Sequence, residues 1–169
     1  MNTILKNKID SILKLFKNGN YKKTIVETQN LLKKNNNNDF LWNLKGLAFQ
    51  NLGEYEKALY CFNKSIEYNI NNLASKNNQG NSYKNLRKFD LAEKCFKNIL
   101  TENPEYIKSL VNLGNLKTET FHFSEAINYY KLYLKKDNKT SEVYRNLGIC
   151  YQTIGQIDKA KDVFLKALD

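Results

Sequence analysis

Sliding the sequence by 34 residues lays it over itself. The shift carries Gly46 onto Gly80, Gly114 and Gly148, and Ala58 onto Ala92, Ala126 and Ala160. It also carries Phe62 onto Phe96, Tyr130 and Phe164. Two small residues and one aromatic in fixed register mark a repeat protein, whose units bury their apolar faces against their neighbours. The best-preserved copy is Asp39 to Asn72. With Asp39 as position 1, the frames are 5–38, 39–72, 73–106, 107–140 and 141–169, expected to form a single domain over 1–169.

Each frame holds two apolar-periodic segments joined by a short turn at positions 14–16: Asn18-Gly19-Asn20, Leu52-Gly53-Glu54, Leu86-Arg87-Lys88, Thr120-Phe121-His122 and Ile154-Gly155-Gln156. An apolar residue follows each turn, and position 24 falls on the same helix face as position 17. With one proline, seven glycines and no alternating β-branched runs, the pattern predicts ten helices in antiparallel pairs. Glycine within a helix costs ~1 kcal/mol relative to alanine, so four at position 8 need a packing role. The expectation is that position 8 faces the alanine at position 20, with the position-24 aromatic filling the space beside them.

These residues resemble the tetratricopeptide repeat family, whose pattern places Trp, Leu, Gly, Tyr, Ala, Phe, Ala and Pro at positions 4, 7, 8, 11, 20, 24, 27 and 32. Frame 39–72 matches at Trp42, Gly46, Ala58 and Phe62; frame 73–106 at Gly80, Tyr83, Ala92, Phe96 and Pro104. Frame 107–140 offers Leu113, Gly114 and Ala126, and frame 141–169 Leu147, Gly148, Tyr151, Ala160, Phe164 and Ala167. Lys45, Gln79 and Lys117 depart from it. The resemblance implies an all-α fold, a right-handed α-solenoid of five helix-turn-helix repeats.

Frame 5–38 is degenerate, with Ile12, Thr24 and Thr28 replacing glycine, alanine and aromatic. The run Asn35–Asn38 that closes it reads as a solvated linker. At the other end, Asp169 stops at position 29 and leaves Val163, Phe164, Ala167 and Leu168 short of cover. Further repeats, or self-association through this face, would supply it.

The formal charge is +10 and the pI near 9.4. Lysine and asparagine are enriched together, as an AT-rich coding sequence produces. Lys22, Lys23, Lys57, Lys64, Lys94, Lys97, Lys131, Lys135, Lys136, Lys159 and Lys166 fall on second helices or inter-repeat turns, so nucleic acid is left with non-specific, salt-sensitive binding along the outside. Cys61, Cys95 and Cys150 form no CxxC pair and no even disulfide set, which fits a reduced compartment. There is no signal-peptide core and no membrane-length apolar run, so the expected location is cytoplasmic. His122 is the only histidine, and no GxGxxG, GxxxxGK[ST] or GxSxG occurs. The expected protein is therefore not an enzyme and holds no metal or cofactor.

In the resembled family the first helices line a concave groove through positions 2, 5, 6, 9, 12 and 13. Positions 5, 6 and 9 of the last four frames contain seven asparagines among twelve residues, where 26 asparagines in 169 residues predict about two. Asparagine carries a carbonyl acceptor and an NH₂ donor, so a repeated asparagine can pair with the backbone of an extended peptide. Asn78, Asn112 and Asn146, all at position 6, resemble the asparagine ladder of the repeat domain of O-linked N-acetylglucosamine transferases. The candidate groove residues are Asn43, Asn77, Asn78, Asn81, Lys84, Asn85, Lys108, Asn112, Asn115, Arg145 and Asn146. A two-carboxylate clamp for chaperone C-termini is disfavoured: Asn77 replaces its lysine, and Glu142 and Asn146 replace two of its cations.

The function expected is a protein-protein interaction module or scaffold holding an extended partner segment. The alternatives are a substrate-recruiting arm of a larger transferase (a glycosyltransferase or sulfotransferase) and a nucleic-acid-binding outer surface.

Overall fold

A computed structural model describes residues 3–168, and among them every regular element is helical. The ten helices are α1 (Thr3–Lys17), α2 (Tyr21–Leu32), α3 (Asp39–Asn51), α4 (Tyr55–Tyr68), α5 (Leu73–Asn85), α6 (Phe89–Glu102), α7 (Lys108–Glu119), α8 (Phe123–Leu134), α9 (Ser141–Thr153) and α10 (Ile157–Lys166). Each frame contributes two, as the periodicity predicts. The chain divides into two compact units, Met1–Lys88 and Phe89–Asp169. In the first unit α1 packs on α2, α2 on α3, α3 on α4, and α4 on α5; in the second the sequence α6 to α10 packs likewise.

The turns share one construction. Position 15 takes a left-handed backbone in all five frames: Gly19, Gly53 and Gly155 at φ +75°, +76° and +77°, and Arg87 and Phe121 at φ 58° and 62°. The two amides at and after it bond back into the first helix. In frame 39–72 Gly53 N–H donates to the Gln50 carbonyl at 3.0 Å and Glu54 N–H to that of Phe49 at 3.0 Å. Equivalent pairs close the other four turns, among them Phe121 to Thr118 at 3.1 Å and His122 to Lys117 at 2.8 Å. This is the Schellman end, which satisfies carbonyls the helix leaves unpaired. Glycine accepts the left-handed backbone without penalty; Arg87 and Phe121 do not.

The position-8 glycines do something other than expected. A Cβ on Gly46 would lie 2.6 Å from the Phe62 ring, and one on Gly148 would lie 2.5 Å from that of Phe164. On Gly114 it would collide with Tyr130 in the same way. The nearest neighbour of Gly46, Gly114 and Gly148 is thus the position-24 ring of its own hairpin, not the position-20 alanine. Ala58 and Ala126 are wholly buried beside these contacts. In the first hairpin the volumes are exchanged: Ile12 is buried at position 8 and Thr28 at position 24. The Thr28 hydroxyl is satisfied by donating to the Thr24 carbonyl at 2.7 Å.

Nor is the asparagine run a bare linker. Asn38 caps α3, its Oδ1 accepting from Leu41 N–H at 3.0 Å, and the Asn36 carbonyl accepts from the Trp42 indole at 2.7 Å. Asn72, one period later, caps α5 through Ser75 N–H at 3.0 Å and also donates to Asp39 Oδ2 at 2.8 Å. Such caps are worth ~1 kcal/mol each.

Two outcomes test this packing. Gly114→Leu should cost about 1–3 kcal/mol in urea unfolding, and in a double-mutant cycle Tyr130→Ala should absorb much of that cost; strict additivity would show that the ring is not the obstacle. Phe121→Gly should stabilise the protein by about 0.5–1 kcal/mol, the relief of left-handed strain less the added chain entropy of glycine. A fall in melting temperature would contradict that account.

Candidate peptide-binding face

The first helices of adjacent frames are neighbours within each unit: α3 beside α5, and α7 beside α9. Their shared edge carries the asparagines. In the first unit Asn78 Nδ2 donates to Asn43 Oδ1 at 3.0 Å, joining α5 to α3. Gln50 Nε2 donates to the Asn78 carbonyl at 3.2 Å and to Ser82 Oγ at 3.0 Å. Asn85 Nδ2 turns back onto the Asn81 carbonyl at 2.8 Å. Asn81 and Lys84 are half-buried, whereas Asn77 retains only 8% exposure. Asn77 is thus the candidate least open to a ligand.

In the second unit Asn146 Nδ2 donates to Asn115 Oδ1 at 3.2 Å, joining α9 to α7. The same oxygen accepts from Tyr130 Oη at 2.7 Å. Both lone pairs of Asn115 Oδ1 are therefore used, and its NH₂ end is fixed as the one available to a partner. Burial pushes the Tyr130 phenol up to about 12, so it remains a donor at any ordinary pH. Tyr130 thus has two roles: its ring lies on Gly114 and its hydroxyl orients Asn115. Asn112 is half-buried, and Lys108 and Arg145 are exposed.

Sequence reasoning missed Gln50 and the Tyr130 hydroxyl. Gln50 stands at position 12, one of the groove positions, and could have been found by listing amides there. Tyr130 stands where Phe62, Phe96 and Phe164 stand in other frames, and the added oxygen was the signal.

The departures at Lys45 and Lys117 have physical explanations. Lys45 is 8% exposed, with its ammonium hydrogen-bonded to Gln29 Oε1 and lying 5.2 Å and 5.7 Å from the Trp42 and Phe49 ring centroids. These rings supply the electron-rich faces that a cation favours. Lys117 lies 3.0 Å from both Glu93 Oε2 and Glu125 Oε2. Its pKa is raised, because the bonds to Glu125 and Glu93 outweigh the desolvation that opposes its charge. Glu93, also 2.7 Å from Lys97, is held below the usual carboxylate range, its bonds to Lys97 and Lys117 outweighing the opposite effect of burial.

Burial raises all three thiols, Cys61 and Cys95 to about 11. Among the described residues no cluster of three or more His, Cys, Asp and Glu could hold a metal ion, and no helix is long and apolar enough to cross a membrane. Val163 and Phe164 on α10 and Ala167 just after it are partly covered, while Leu165 on α10 and Leu168 beyond it are 63% and 84% exposed.

A family model described as the N-terminal TPR repeats region of Psidin matches residues 6–114, and a tetratricopeptide repeat model matches 141–169. The chain belongs to the tetratricopeptide repeat family. No curated protein matches it. Among solved structures, MamA (residues 41 to end) from Desulfovibrio magneticus RS-1 aligns with a TM-score of 0.81 at 16% identity, over 96% of this chain and 92% of that one. Another MamA crystal structure gives 0.78 at 19% identity, over 92% and 91%. The C-terminal part of a TPR repeat-containing protein from Cytophaga hutchinsonii gives 0.79 at 20%, over 94% of this chain and 63% of that one. These likenesses are of fold, the all-α repeat solenoid of the tetratricopeptide repeat class.

The Glu93 charge makes a pH prediction. A carboxylate with a depressed folded pKa contributes stability above its unfolded value near ~4.3, lost as pH falls through the folded value. Glu93→Gln should therefore cost about 1 kcal/mol at neutral pH and flatten the acid limb of melting temperature against pH below ~4.3. An acid limb identical to that of the unaltered protein would exclude Glu93 as a contributor.

Proposed function

We propose that this protein is a non-catalytic interaction module that binds extended segments of a partner protein on the asparagine-bearing edges of its first helices. The observation that carries this reading is the pair of amide bonds between adjacent first helices, Asn78 to Asn43 and Asn146 to Asn115. Each uses one N–H and one lone pair, leaving Asn43 with amide hydrogens to donate and Asn78 with a carbonyl oxygen to accept. An edge that alternates donor and acceptor suits a peptide backbone, which presents both. Recognition of backbone is tolerant of side-chain sequence. Lys108 and Arg145, both exposed, add a preference for acidic residues in the bound segment.

The internal bonds also favour binding energetically. A side chain already held in one rotamer loses less freedom when a ligand arrives. Asn78 is held at both its side chain and, through Gln50, its backbone carbonyl.

A displayed library of unstructured peptides, selected on the intact chain, tests the reading. The selected peptides should lose about tenfold in affinity, ~1.4 kcal/mol, against Asn78→Ala combined with Asn146→Ala, with melting temperature nearly unchanged. Methylating the peptide nitrogens should have a similar effect. Undiminished affinity in the double variant would remove the asparagines from the account.

A further inference from the structure

We propose that the groove between α1 and α2 is a second, independent site, built to dock an acidic amphipathic helix. The charge of the chain is concentrated in the segment that builds this groove. Residues 1–38 hold eight lysines against only Asp10 and Glu27, a net +6 of the chain's +10. The groove encloses about 350 Å³. Ile12, Leu15 and Leu31 form an aliphatic floor, and Lys8, Lys23 and Lys34 stand on its rim. On α1 Lys8, Ile12 and Leu15 follow i, i+4, i+7, and on α2 Lys23, Glu27 and Leu31 follow i, i+4, i+8, so each helix contributes one stripe, and Lys34 adds its charge from the turn just after α2.

These lysines differ from those elsewhere that are paired with carboxylates. Lys57, Lys64, Lys97 and Lys136 each have a carboxylate within 2.8 Å, from Glu54, Glu67, Glu93 and Glu105. Among the described residues Lys8, Lys23 and Lys34 have no ion-pair partner. Cations on a rim above an apolar floor complement a helix with leucine-like residues on one face and acids along its flanks. The 15 residues of α1 span ~22 Å, room for about four turns of such a partner.

Nucleic acid fits this groove less well. No aromatic ring lines it for a base to stack on, and Glu27 stands within it. The site shares no residue with the asparagine-bearing edges, so each proposal can fail without the other.

The probe is a fluorescein-labelled peptide of about 18 residues, leucines at helical i, i+3, i+4, i+7 spacing and glutamates elsewhere. A second peptide of identical composition has its leucines scrambled. Anisotropy titration of the intact chain should show binding of the first and at least about tenfold weaker binding of the second. Lys8→Glu with Lys23→Glu and Lys34→Glu should weaken the first peptide about tenfold or more, while Lys94→Glu and the Asn78→Ala/Asn146→Ala variant bind it normally. All three lysines are exposed, and circular dichroism of the triple variant confirms that it folds. Equal affinity for both peptides, no loss in the triple variant, or equally tight binding of a single-stranded oligonucleotide of similar length would each overturn the proposal, the last in favour of nucleic acid.

Discussion

The hairpins rest on an aromatic ring laid against bare backbone. In three of them the position-24 ring occupies the space where a Cβ on the position-8 glycine would be. Each glycine sacrifices ~1 kcal/mol of helix propensity, and a ring buried as fully as Phe62 or Tyr130 returns about 1.5–3 kcal/mol through the apolar surface it removes from water. The exchange is favourable only if the ring and the notch are both present, which explains why they recur together with the period. The first hairpin keeps the volume and reverses its source, with Ile12 supplying bulk from the first helix where Thr28 supplies little from the second. Close approach of the two helices then fixes which face of each first helix remains open, and that face bears the asparagines.

This arrangement was legible in the sequence to different depths. The period alone yielded ten helices and the turn inside each pair, because position 8, position 20 and position 24 repeat through four frames. It did not say which of the two second-helix positions meets the glycine, since the alanine and the ring share one helix face and both satisfy the same spacing. Gly19, Gly53 and Gly155 announced turns, but the left-handed backbone at Arg87 and Phe121 could be inferred only by register, against the preference of those residues. Ser109 is a similar case. At position 3 it matches Ser75, whose hydroxyl lies 2.6 Å from that of Ser65. One period on, the partner position is Ile99, so Ser109 Oγ is buried without a hydrogen-bond partner. Comparing frames shows why that serine is orphaned; neither residue alone does.

The candidate site divides in the same way. Enrichment of asparagine on the first helices was readable from position counts. Their pairing was not, because whether two amides meet depends on helix spacing and rotamer. Pairing changes what the edge can offer. An unpaired asparagine amide rotates freely and presents either end; one anchored by Tyr130, as Asn115 is, presents only its NH₂. The tyrosine that packs the second unit's core therefore also sets the polarity of its surface. A change at Tyr130 would act on both the packing and the polarity of the edge, whereas a change at Asn146 touches the amide pair on the edge.

Charge gives the last step. If lysine abundance reflected coding composition alone, cations and acids would be distributed with no regard to the fold. Instead the acids are thin where the lysines are dense: residues 1–38 contain two acids, and the remaining residues contain fifteen. From α4 onwards, lysines repeatedly find carboxylates, and Lys117 finds two. Among the described residues of α1 and α2 no lysine has a carboxylate within ion-pair distance, although Lys23 and Glu27 stand one turn apart. Rim lysines left without internal partners, above an aliphatic floor, keep their charge available to an anionic partner. An isolated surface ion pair is worth little to folding, so leaving these lysines unpaired costs the fold little while retaining a long-range attraction that orients an incoming acidic segment.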